Sequence, residues 1–206
     1  MAEAERPQIT LVTPPEVELA SFRPRLAACL DAVPVACLRL ALAGHDEDRI
    51  ARTADALREE AHARDVAVVL DRHVMLAQRL GLDGVHLTDG ARSVRKVRKE
   101  LGADAIVGAH CGTSRHDGMT AGELGADYVM FGPAGASGLG AGERATRDLF
   151  AWWSEMIEVP VVAEGALDPQ VIAELAPVTD FFAIGEEIWT AEDPVAALRA
   201  LDAAIG

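Results

Sequence analysis

One pattern occurs three times in the middle of the chain: Gly81-Leu-Asp-Gly-Val-His-Leu87, Gly102-Ala-Asp-Ala-Ile-Val-Gly108 and Gly125-Ala-Asp-Tyr-Val-Met-Phe131. In each copy, glycine ends a helix in the left-handed conformation, aspartate begins a turn, and a short apolar strand follows. The segment Val178-Thr-Asp-Phe-Phe-Ala-Ile184 keeps the aspartate and the strand without the glycine. A repeated helix–turn–strand unit with short connections predicts right-handed crossovers and a parallel sheet.

The same alternation extends over the whole chain. The apolar runs are continuous and rich in β-branched residues, as expected for parallel strands buried on both faces. The predicted strands are 9–12, 35–40, 66–70, 84–87, 105–108, 128–131, 159–163 and 181–184, and the predicted helices are 18–31, 46–63, 72–80, 91–101, 114–124, 146–157, 168–175 and 187–203.

This count of strands and helices predicts an α/β fold, a compact (β/α)₈ TIM barrel that forms a single domain over residues 1–206. Residues 1–7 are predicted to be a flexible N-terminal extension. The alternative is an open doubly wound sheet. Such a sheet would usually carry phosphate-binding glycines in the first strand-to-helix loop, where this chain has Thr13-Pro-Pro15.

Charge and composition restrict the class of partner. The 206 residues include 19 Lys and Arg against 33 Asp and Glu, so the net charge is −14. A basic surface is needed to neutralise phosphates, so the balance argues against a nucleic-acid or anionic-membrane partner. It also disfavours a highly charged anionic substrate, unless a local basic or N–H-rich pocket offsets the field. The predicted partner is a small-molecule ligand, and a homo-oligomer is a further expectation.

The first residues and the cysteines bear on the cellular compartment. The acidic N-terminus has no signal-peptide core, and the longest apolar stretch, 33–44, is too short to span a bilayer. Cys29, Cys37 and Cys111 are scattered without a CxxC pair, which argues against a disulfide scaffold or a zinc site. A cytoplasmic protein is predicted.

In a (β/α)₈ barrel the functional site lies at the carboxyl ends of the strands. The residues of interest at these predicted ends are Arg39, Asp71, Arg72, His73, His86, Thr88, Asp89, His110, Cys111, Gly132, Pro133, Glu164, Gly165, Glu186 and Glu187. Their position is the argument for function, because each residue type alone says little.

Several of these residues lie in segments that carry a family resemblance. The segments are Leu38-Arg39, Asp71-Arg72, Asp83-Gly-Val-His-Leu87, Gly125-Ala-Asp-Tyr-Val-Met-Phe-Gly-Pro133, Pro160-Val-Val-Ala-Glu-Gly165 and Asp193-Pro194. In their order and spacing the chain resembles the thiamine-phosphate synthase / TenI family over nearly its whole length. The resemblance implies a (β/α)₈ barrel. Synthase members join a pyrimidine methyl diphosphate to a thiazole phosphate with Mg²⁺ assistance, and TenI-type members tautomerise a thiazole carboxylate phosphate.

The chain departs from the family pattern at positions where family members carry cationic side chains or metal ligands. The family's Gln-x-Arg-x-Lys reads Cys37-Leu-Arg39-Leu-Ala41, and its Asn-Asp reads Leu70-Asp71. The resemblance implies Asp71 as a Mg²⁺ ligand. The usual second carboxylate is replaced by Ala91, with Asp89 nearby as a partial substitute, so the implied Mg²⁺ site is incomplete.

Other departures concern phosphate binding. His110 stands in place of a family serine, and 134–142 replaces a Thr-x-Thr-Lys segment. A family Gly-Gly becomes Gly165-Ala166, and Glu186 aligns with a phosphate-binding serine. A carboxylate near a helix N-terminus can take the place of an anion, so Glu186 is predicted to fill the phosphate site.

These departures predict that the synthase reaction is severely impaired. Departing pyrophosphate develops negative charge that Lys, Arg, Mg²⁺ and N–H donors must meet. The predicted catalytic residues are His110 and Arg39. The predicted ligand pocket contains Asp71, His86, Asp89, Gly132, Pro133, Glu164, Gly165 and Glu186. Two classes of function stay open: an enzyme of thiamine metabolism, or a non-catalytic binder. The first class includes an enzyme that acts on an unphosphorylated amine or heterocycle.

Each candidate also has a structural interpretation. Arg39 either serves the pocket or pairs with Asp71 or Glu164. Asp71 is alternatively the N-cap of the third helix, and His86 a core histidine. His110 is the best acid–base candidate, because it stands in place of a site serine at a strand end.

Further alternatives concern the neighbouring segments. Cys111 is a weaker candidate nucleophile. Glu186 and Glu187 are alternatively ordinary acids of a first helical turn. The loop 132–142 is either a lid or a loop that has lost its ligand. Trp152 and Trp153 are predicted to point one ring inward and one outward.

Overall fold

The computed structural model describes residues 6–44, 46–136 and 143–206 and shows a closed barrel. Eight parallel strands pair in chain order, and the first closes the barrel against the eighth. The predicted (β/α)₈ architecture is confirmed, and the open doubly wound alternative is wrong.

Strands and helices alternate along the barrel. The strands are β1 Gln8–Val12, β2 Cys37–Leu40, β3 Ala67–Asp71, β4 Gly84–Leu87, β5 Ile106–His110, β6 Tyr128–Phe131, β7 Val161–Glu164 and β8 Phe181–Ile184. The helices are α1 Leu19–Ala32, α2 Glu47–His62, α3 Val74–Leu80, α4 Val94–Leu101, α5 Arg115–Glu123, α6 Arg147–Met156, α7 Pro169–Leu175, α8 Glu186–Trp189 and α9 Pro194–Ile205. A single 3₁₀ turn, Ala176–Val178, follows α7.

Three predicted strands end too early. Asp71, His110 and Glu164 were expected to follow their strands, but each is the last residue of β3, β5 or β7. Asp71 pairs with His86 of the next strand, and Glu164 pairs with Ala183 in the same way. The ladder therefore extends over these polar residues.

The predicted helix 187–203 is wrong, because two helices occupy this region. The short α8 ends at Trp189, and α9 begins with Pro194. Proline has no N–H to donate and suits a first helical position. Asp193 caps the new helix by accepting a hydrogen bond of 2.9 Å from the Ala196 amide.

The repeated aspartates tie neighbouring strands together. In three copies of the pattern the carboxylate before a strand accepts from a backbone N–H of the preceding strand; the bonds are Val68 to Asp83 at 2.7 Å, Val107 to Asp127 at 2.7 Å and Val161 to Asp180 at 2.8 Å. The three pattern glycines have positive φ, namely 64° at Gly81, 84° at Gly102 and 98° at Gly125. The positive φ expected at the repeated glycines is confirmed, and the predicted left-handed helix cap is formed at Gly81, whereas Gly102 has a ψ of −171° and the C-cap of α5 is Leu124.

Two apolar clusters fill the molecule. The larger one lies between the strands and the surrounding helices and includes the outward strand residues Val85, Leu87, Val107 and Ala109. The smaller one consists of Met130, Val162 and Ala183 inside the barrel, with three partly buried neighbours. Because side chains alternate along a strand, the residues between the outward ones face the barrel interior.

The N-terminal region is described from Arg6 onward. Arg6 donates to the Gly206 carbonyl at 2.6 Å and to the Asp202 carboxylate at 2.7 Å. Residues 1–5, which form most of the predicted flexible extension, lie outside the described residues, and the extension stays a prediction. In the described part of the chain, every helix is too short or too polar to cross a membrane.

Candidate active site

Arg39 is the central cation of the barrel interior. It lies on β2, is 7% exposed and donates twice to Asp71, from Nε to Oδ1 at 2.8 Å and from Nη2 to Oδ2 at 3.0 Å. Its Nη1 donates to Glu164 on β7 and to the Met130 sulfur on β6. The bond to Met130 is 3.2 Å long. Arg39 therefore joins two carboxylates across the barrel, and both pairings expected from the sequence are made.

The charge of Arg39 is permanent at this site. Burial by itself lowers the pKa of the guanidinium, but the hydrogen bond to Asp71 and the charges of Glu164 and Asp71 outweigh it. The pKa of Arg39 is therefore raised above its ordinary value. A buried ion pair with this geometry is costly to break, because the remaining charge loses its partner.

The alternative role of Asp71 as an N-cap is wrong. The residue before α3 is His73, which makes no side-chain cap hydrogen bond. Asp71 is only 5% exposed, and both of its carboxylate oxygens accept from Arg39.

A cavity of about 610 Å³ opens at the barrel mouth over β1, β2, β7 and β8. Its charged and aromatic lining comprises Arg25, Arg39, Glu164, Glu186, Glu187 and Trp189. Arg25 donates to the Trp189 carbonyl at 3.0 Å. The cavity thus brings together four of the predicted site residues: Arg39, Glu164, Gly165 and Glu186.

Asp89 lies elsewhere. It lines a separate cavity of about 540 Å³ together with Arg72 and His73, between the loops that follow β3 and β4. Its carboxylate accepts a hydrogen bond of 2.6 Å from the Ser93 hydroxyl. Asp71, which was predicted for the ligand pocket, lines neither of these two cavities and is buried behind Arg39.

The Mg²⁺ ion that the resemblance implies finds a poor ligand set here. Asp71 uses both oxygens to accept from Arg39, and Asp89 accepts from Ser93. In the three described ranges, no group of three or more His, Cys, Asp or Glu side chains is arranged to hold a metal. The described carboxylates thus do not fit a resident divalent cation.

Two histidines on neighbouring strands face the barrel interior. His86 on β4 is fully buried, and its Nδ1 lies 2.9 Å from the Tyr128 hydroxyl on β6. Gly108 on the intervening strand permits this contact, because a Cβ there would lie 2.0 Å from the Tyr128 ring. His110 lies two residues beyond Gly108 on the same face of β5. Neither Tyr128 nor Gly108 is among the predicted site residues, although both belong to the repeated pattern.

Gly132 and Pro133 support the cavity wall rather than line it. A Cβ at Gly132 would lie 2.5 Å from the Glu164 carbonyl, so only glycine fits there. The Gly132–Pro133 peptide is cis, and Ala134 donates to the Glu164 carbonyl at 2.9 Å. Of the predicted lid 132–142, residues 137–142 lie outside the described residues, and the lid stays a prediction.

Glu187, and not Glu186, binds the backbone donors after β7 and β8. Its carboxylate accepts from the Leu167 amide at 3.1 Å and from the Gly185 amide at 2.9 Å. Glu186 is exposed, and its side chain makes no hydrogen bond to the described residues. The prediction for Glu186 is therefore wrong by one residue. Both glutamates lie in the first turn of α8, so this position does not by itself distinguish them.

Replacing Glu187 by alanine is expected to lower the free energy of unfolding by about 1–3 kcal/mol, because two backbone amides lose a charged acceptor. The matched variant Glu186→Ala is expected to change it by no more than about 0.5 kcal/mol, because an exposed side chain is removed. Urea unfolding at neutral pH, followed by circular dichroism, measures both values. Equal losses in the two variants would contradict the assignment.

The closed barrel and its charged mouth define a (β/α)₈-barrel protein, with the candidate site at the carboxyl ends of the strands. The family model described as Thiamine monophosphate synthase matches residues 9–188. The thiamine-phosphate synthase of Rhodospirillum centenum is 41% identical over 184 residues, which are 88% of this chain and 89% of that protein. The chain therefore belongs to the thiamine-phosphate synthase family.

Further comparisons agree on family and fold. The thiamine-phosphate synthase of Erythrobacter litoralis is 37% identical over 203 residues, with 95% of both chains covered. Among solved structures, the thiamine phosphate pyrophosphorylase from Pyrococcus furiosus superposes with a TM-score of 0.82 at 20% identity. It covers 97% of this chain and 96% of its own, and at this identity the likeness concerns the fold alone.

Proposed function

We propose that this protein acts in thiamine metabolism on an unphosphorylated heterocycle or amine, and that its formation of thiamine phosphate is severely impaired. The observation that carries the proposal is the state of Arg39. Its guanidinium already contacts the carboxylates of Asp71 and Glu164. A diphosphate that approached Arg39 would have to compete with both.

The charge around the cavity opposes a phosphorylated ligand. The cavity lining contains three carboxylates, those of Glu164, Glu186 and Glu187, and two guanidinium groups, those of Arg25 and Arg39. A fourth carboxylate, that of Asp71, accepts a hydrogen bond from Arg39. Repulsion between two unit charges at ~4 Å costs about 4 kcal/mol at an effective dielectric near 20. A hydrogen bond to a charged group returns only about 1.5–3 kcal/mol. The same charges favour a protonated ring or an amine.

Glu187 supports the proposal independently. Phosphate sites of (β/α)₈ barrels are frequently built from the loops after strands 7 and 8. In this chain the amides of Leu167 and Gly185, at these two loops, already donate to Glu187. A phosphate would have to displace a carboxylate of this protein before it bound those donors.

The competing function is the synthase reaction itself. It is favoured by the thiamine-phosphate synthases that share 37% and 41% identity with this chain. The two functions differ in a measurable way, because synthase activity requires two phosphorylated substrates and the proposed activity requires none. Cytoplasmic localisation and a homo-oligomeric state stay predictions from the sequence.

A direct assay separates the two. The full chain is given the pyrimidine methyl diphosphate, the thiazole phosphate and Mg²⁺, with the Rhodospirillum centenum synthase as the positive control. We expect no thiamine phosphate above the enzyme-free background. Turnover above background that Arg39→Met abolishes would overturn the proposal, even at about 1 s⁻¹, the low end of typical enzyme rates.

A binding measurement completes the test. Isothermal titration compares the unphosphorylated thiazole alcohol and aminopyrimidine alcohol with the corresponding phosphate esters. We expect at least one alcohol to bind more tightly than its ester. Tighter binding of both esters would contradict the charge argument.

A further inference from the structure

Arg25 on α1 is the second cation of the mouth cavity, and its surroundings differ from those of Arg39. It is partly exposed and lines the cavity of about 610 Å³. Among the residues that the structure describes, both of its polar contacts are with Trp189: a hydrogen bond of 3.0 Å to the carbonyl and a cation–π contact with the ring. Arg39 contacts two carboxylates, whereas the contacts of Arg25 leave its positive charge without a counter-charge.

Trp189 holds the Arg25 guanidinium in place. The guanidinium carbon lies 6.0 Å from the centroid of the Trp189 ring, whose indole N–H donates to the Val12 carbonyl at 2.6 Å. Phe22 packs edge-on against the same ring, with the centroids 4.8 Å apart. A guanidinium presents a planar fork of N–H donors that matches a carboxylate in two parallel hydrogen bonds. Arg25 is therefore a pre-positioned cation for a carboxylate of the ligand.

Glu186 is the corresponding anion of the same cavity. It is exposed and lines the cavity, and its side chain accepts no hydrogen bond from the described residues. The other two carboxylates of the lining are engaged, because Glu187 accepts from two backbone amides and Glu164 accepts from Arg39. The carboxylate of Glu186 is therefore available to a cationic group of the ligand.

Pairing inside the protein thus leaves one charge of each sign in the lining. Arg39 and Glu164 neutralise each other, and the charge of Glu187 is met by the N–H groups of the backbone. Among the described residues of the lining, the charges left for a ligand are those of Arg25 and Glu186. A ligand with one charge of each sign complements both.

We propose that the ligand of this cavity is a zwitterion, with a carboxylate that binds Arg25 and an amine or protonated ring nitrogen that binds Glu186. This inference rests on the proposed function, because it adds a carboxylate to the unphosphorylated amine or heterocycle. A carboxylate carries one negative charge, whereas a phosphate ester carries about −1.5 to −2 at neutral pH. The carboxylate therefore meets less repulsion from the glutamates of the lining.

A matched set of aromatic probes tests the proposal. The zwitterion is para-(aminomethyl)benzoate, and benzylamine and benzoate each carry one of its two charges. Ligand-observed NMR titration of the full chain at neutral pH gives the affinities. We expect the zwitterion to bind about tenfold more tightly than benzylamine, the effect of one hydrogen bond to a charged group, and more tightly than benzoate. No measurable binding of the zwitterion, or binding no tighter than that of benzylamine, would overturn the proposal.

Variants assign the two charges of the probe to their partners. Arg25→Gln is expected to weaken binding of the zwitterion about tenfold and to leave benzylamine unchanged, because benzylamine has no carboxylate. Glu186→Gln is expected to weaken the zwitterion and benzylamine and to leave benzoate unchanged. The matched control is Arg58→Gln on α2, whose guanidinium pairs with Asp55, and it is expected to leave all affinities unchanged.

A merely structural role of Arg25 would give a different pattern. Because Arg25 packs on Trp189, a disturbed wall would weaken all probes alike. Equal weakening of the zwitterion and benzylamine by Arg25→Gln therefore overturns the specificity role. Arg25→Lys keeps the charge without the planar fork and is expected to retain part of the preference for the zwitterion.

A phosphonate probe distinguishes this inference from the proposed function. We expect para-(aminomethyl)phenylphosphonate to bind more weakly than the carboxylate probe. If the phosphonate binds more tightly and Arg25→Gln weakens both, the role of Arg25 is supported and the proposed preference for unphosphorylated ligands is wrong. If the zwitterion binds no better than benzylamine while the phosphonate binds more weakly than both, only the zwitterion is wrong.

Discussion

Replacing Arg39 by methionine is expected to lower the free energy of unfolding by about 3–5 kcal/mol, the range measured when one partner of a buried ion pair is removed. Methionine keeps much of the side-chain length but removes five N–H donors and the charge. Asp71, at 5% exposure, then becomes a buried carboxylate without its two donors. Glu164 is better placed to recover, because 28% of its side chain is exposed and water can solvate it.

The matched control is Arg58→Met on α2. Arg58 donates to Asp55 at 2.7 Å, and the two side chains are 27% and 48% exposed. Exposed pairs contribute up to about 1 kcal/mol, so this variant is expected to lose no more than that. Guanidinium unfolding of both variants, followed by circular dichroism, gives the comparison. Similar losses would show that Arg39 is not the electrostatic centre of the barrel.

Trp153→Ala is expected to be equally damaging, with a loss of about 3–5 kcal/mol, because it removes a large buried ring and leaves a cavity. Trp153 is fully buried, and its ring lies 5.1 Å from that of Phe131. Its indole N–H donates to the Val159 carbonyl at 2.7 Å. Gly118 makes room for the ring, because a Cβ there would lie 2.7 Å from it. The truncation thus removes packing and a hydrogen bond together.

The neighbouring Trp152 is the natural control. It is half-buried, its ring centroid lies 6.3 Å from that of Trp153, and the Arg115 guanidinium is 4.7 Å from its ring centroid. The inward orientation expected for one ring is confirmed at Trp153, whereas Trp152 is partly buried and also packs against the outer core. Cation–π contacts at exposed sites contribute about 0.5–1 kcal/mol, so Trp152→Ala is expected to lose about 1 kcal/mol. Both variants are followed by far-ultraviolet circular dichroism, because each removes a fluorophore. A smaller loss for Trp153→Ala than for Trp152→Ala would contradict the packing described.

The barrel could be predicted from local signals. Gly81, Gly102 and Gly125 mark helix ends because their positive φ is favoured by glycine, and this preference is a property of the residue itself. The strands were recognisable because a run buried on both faces is apolar throughout. The predicted ends of the strands were less accurate. Polar residues such as Asp71 and Glu164 look like loop residues, yet the ladder with the next strand includes them.

The last part of the chain shows a second kind of error. The apolar period of 187–203 favours one helix, but Pro194 begins a new one after a break at 190–193. The position of the short α8 then decides which acidic residue meets the backbone donors. Glu187 reaches the Leu167 and Gly185 amides, and Glu186 remains exposed. A shift of one residue turns a helical side chain by about 100°, so sequence spacing alone does not resolve this choice.

The sequence by itself determined the alternation of strands and helices, the closed barrel and the family. Turn preference and apolar character are properties of individual residues, so they can be recognised without the tertiary structure. Only the tertiary structure decided the chemistry of the mouth. Arg39 lies 32 residues from Asp71 and 125 residues from Glu164, and barrel closure brings the three together. The contact of His86 with Tyr128 likewise depends on Gly108 in the strand between them. Such contacts follow from strand register and side-chain length in three dimensions, which local preference does not encode.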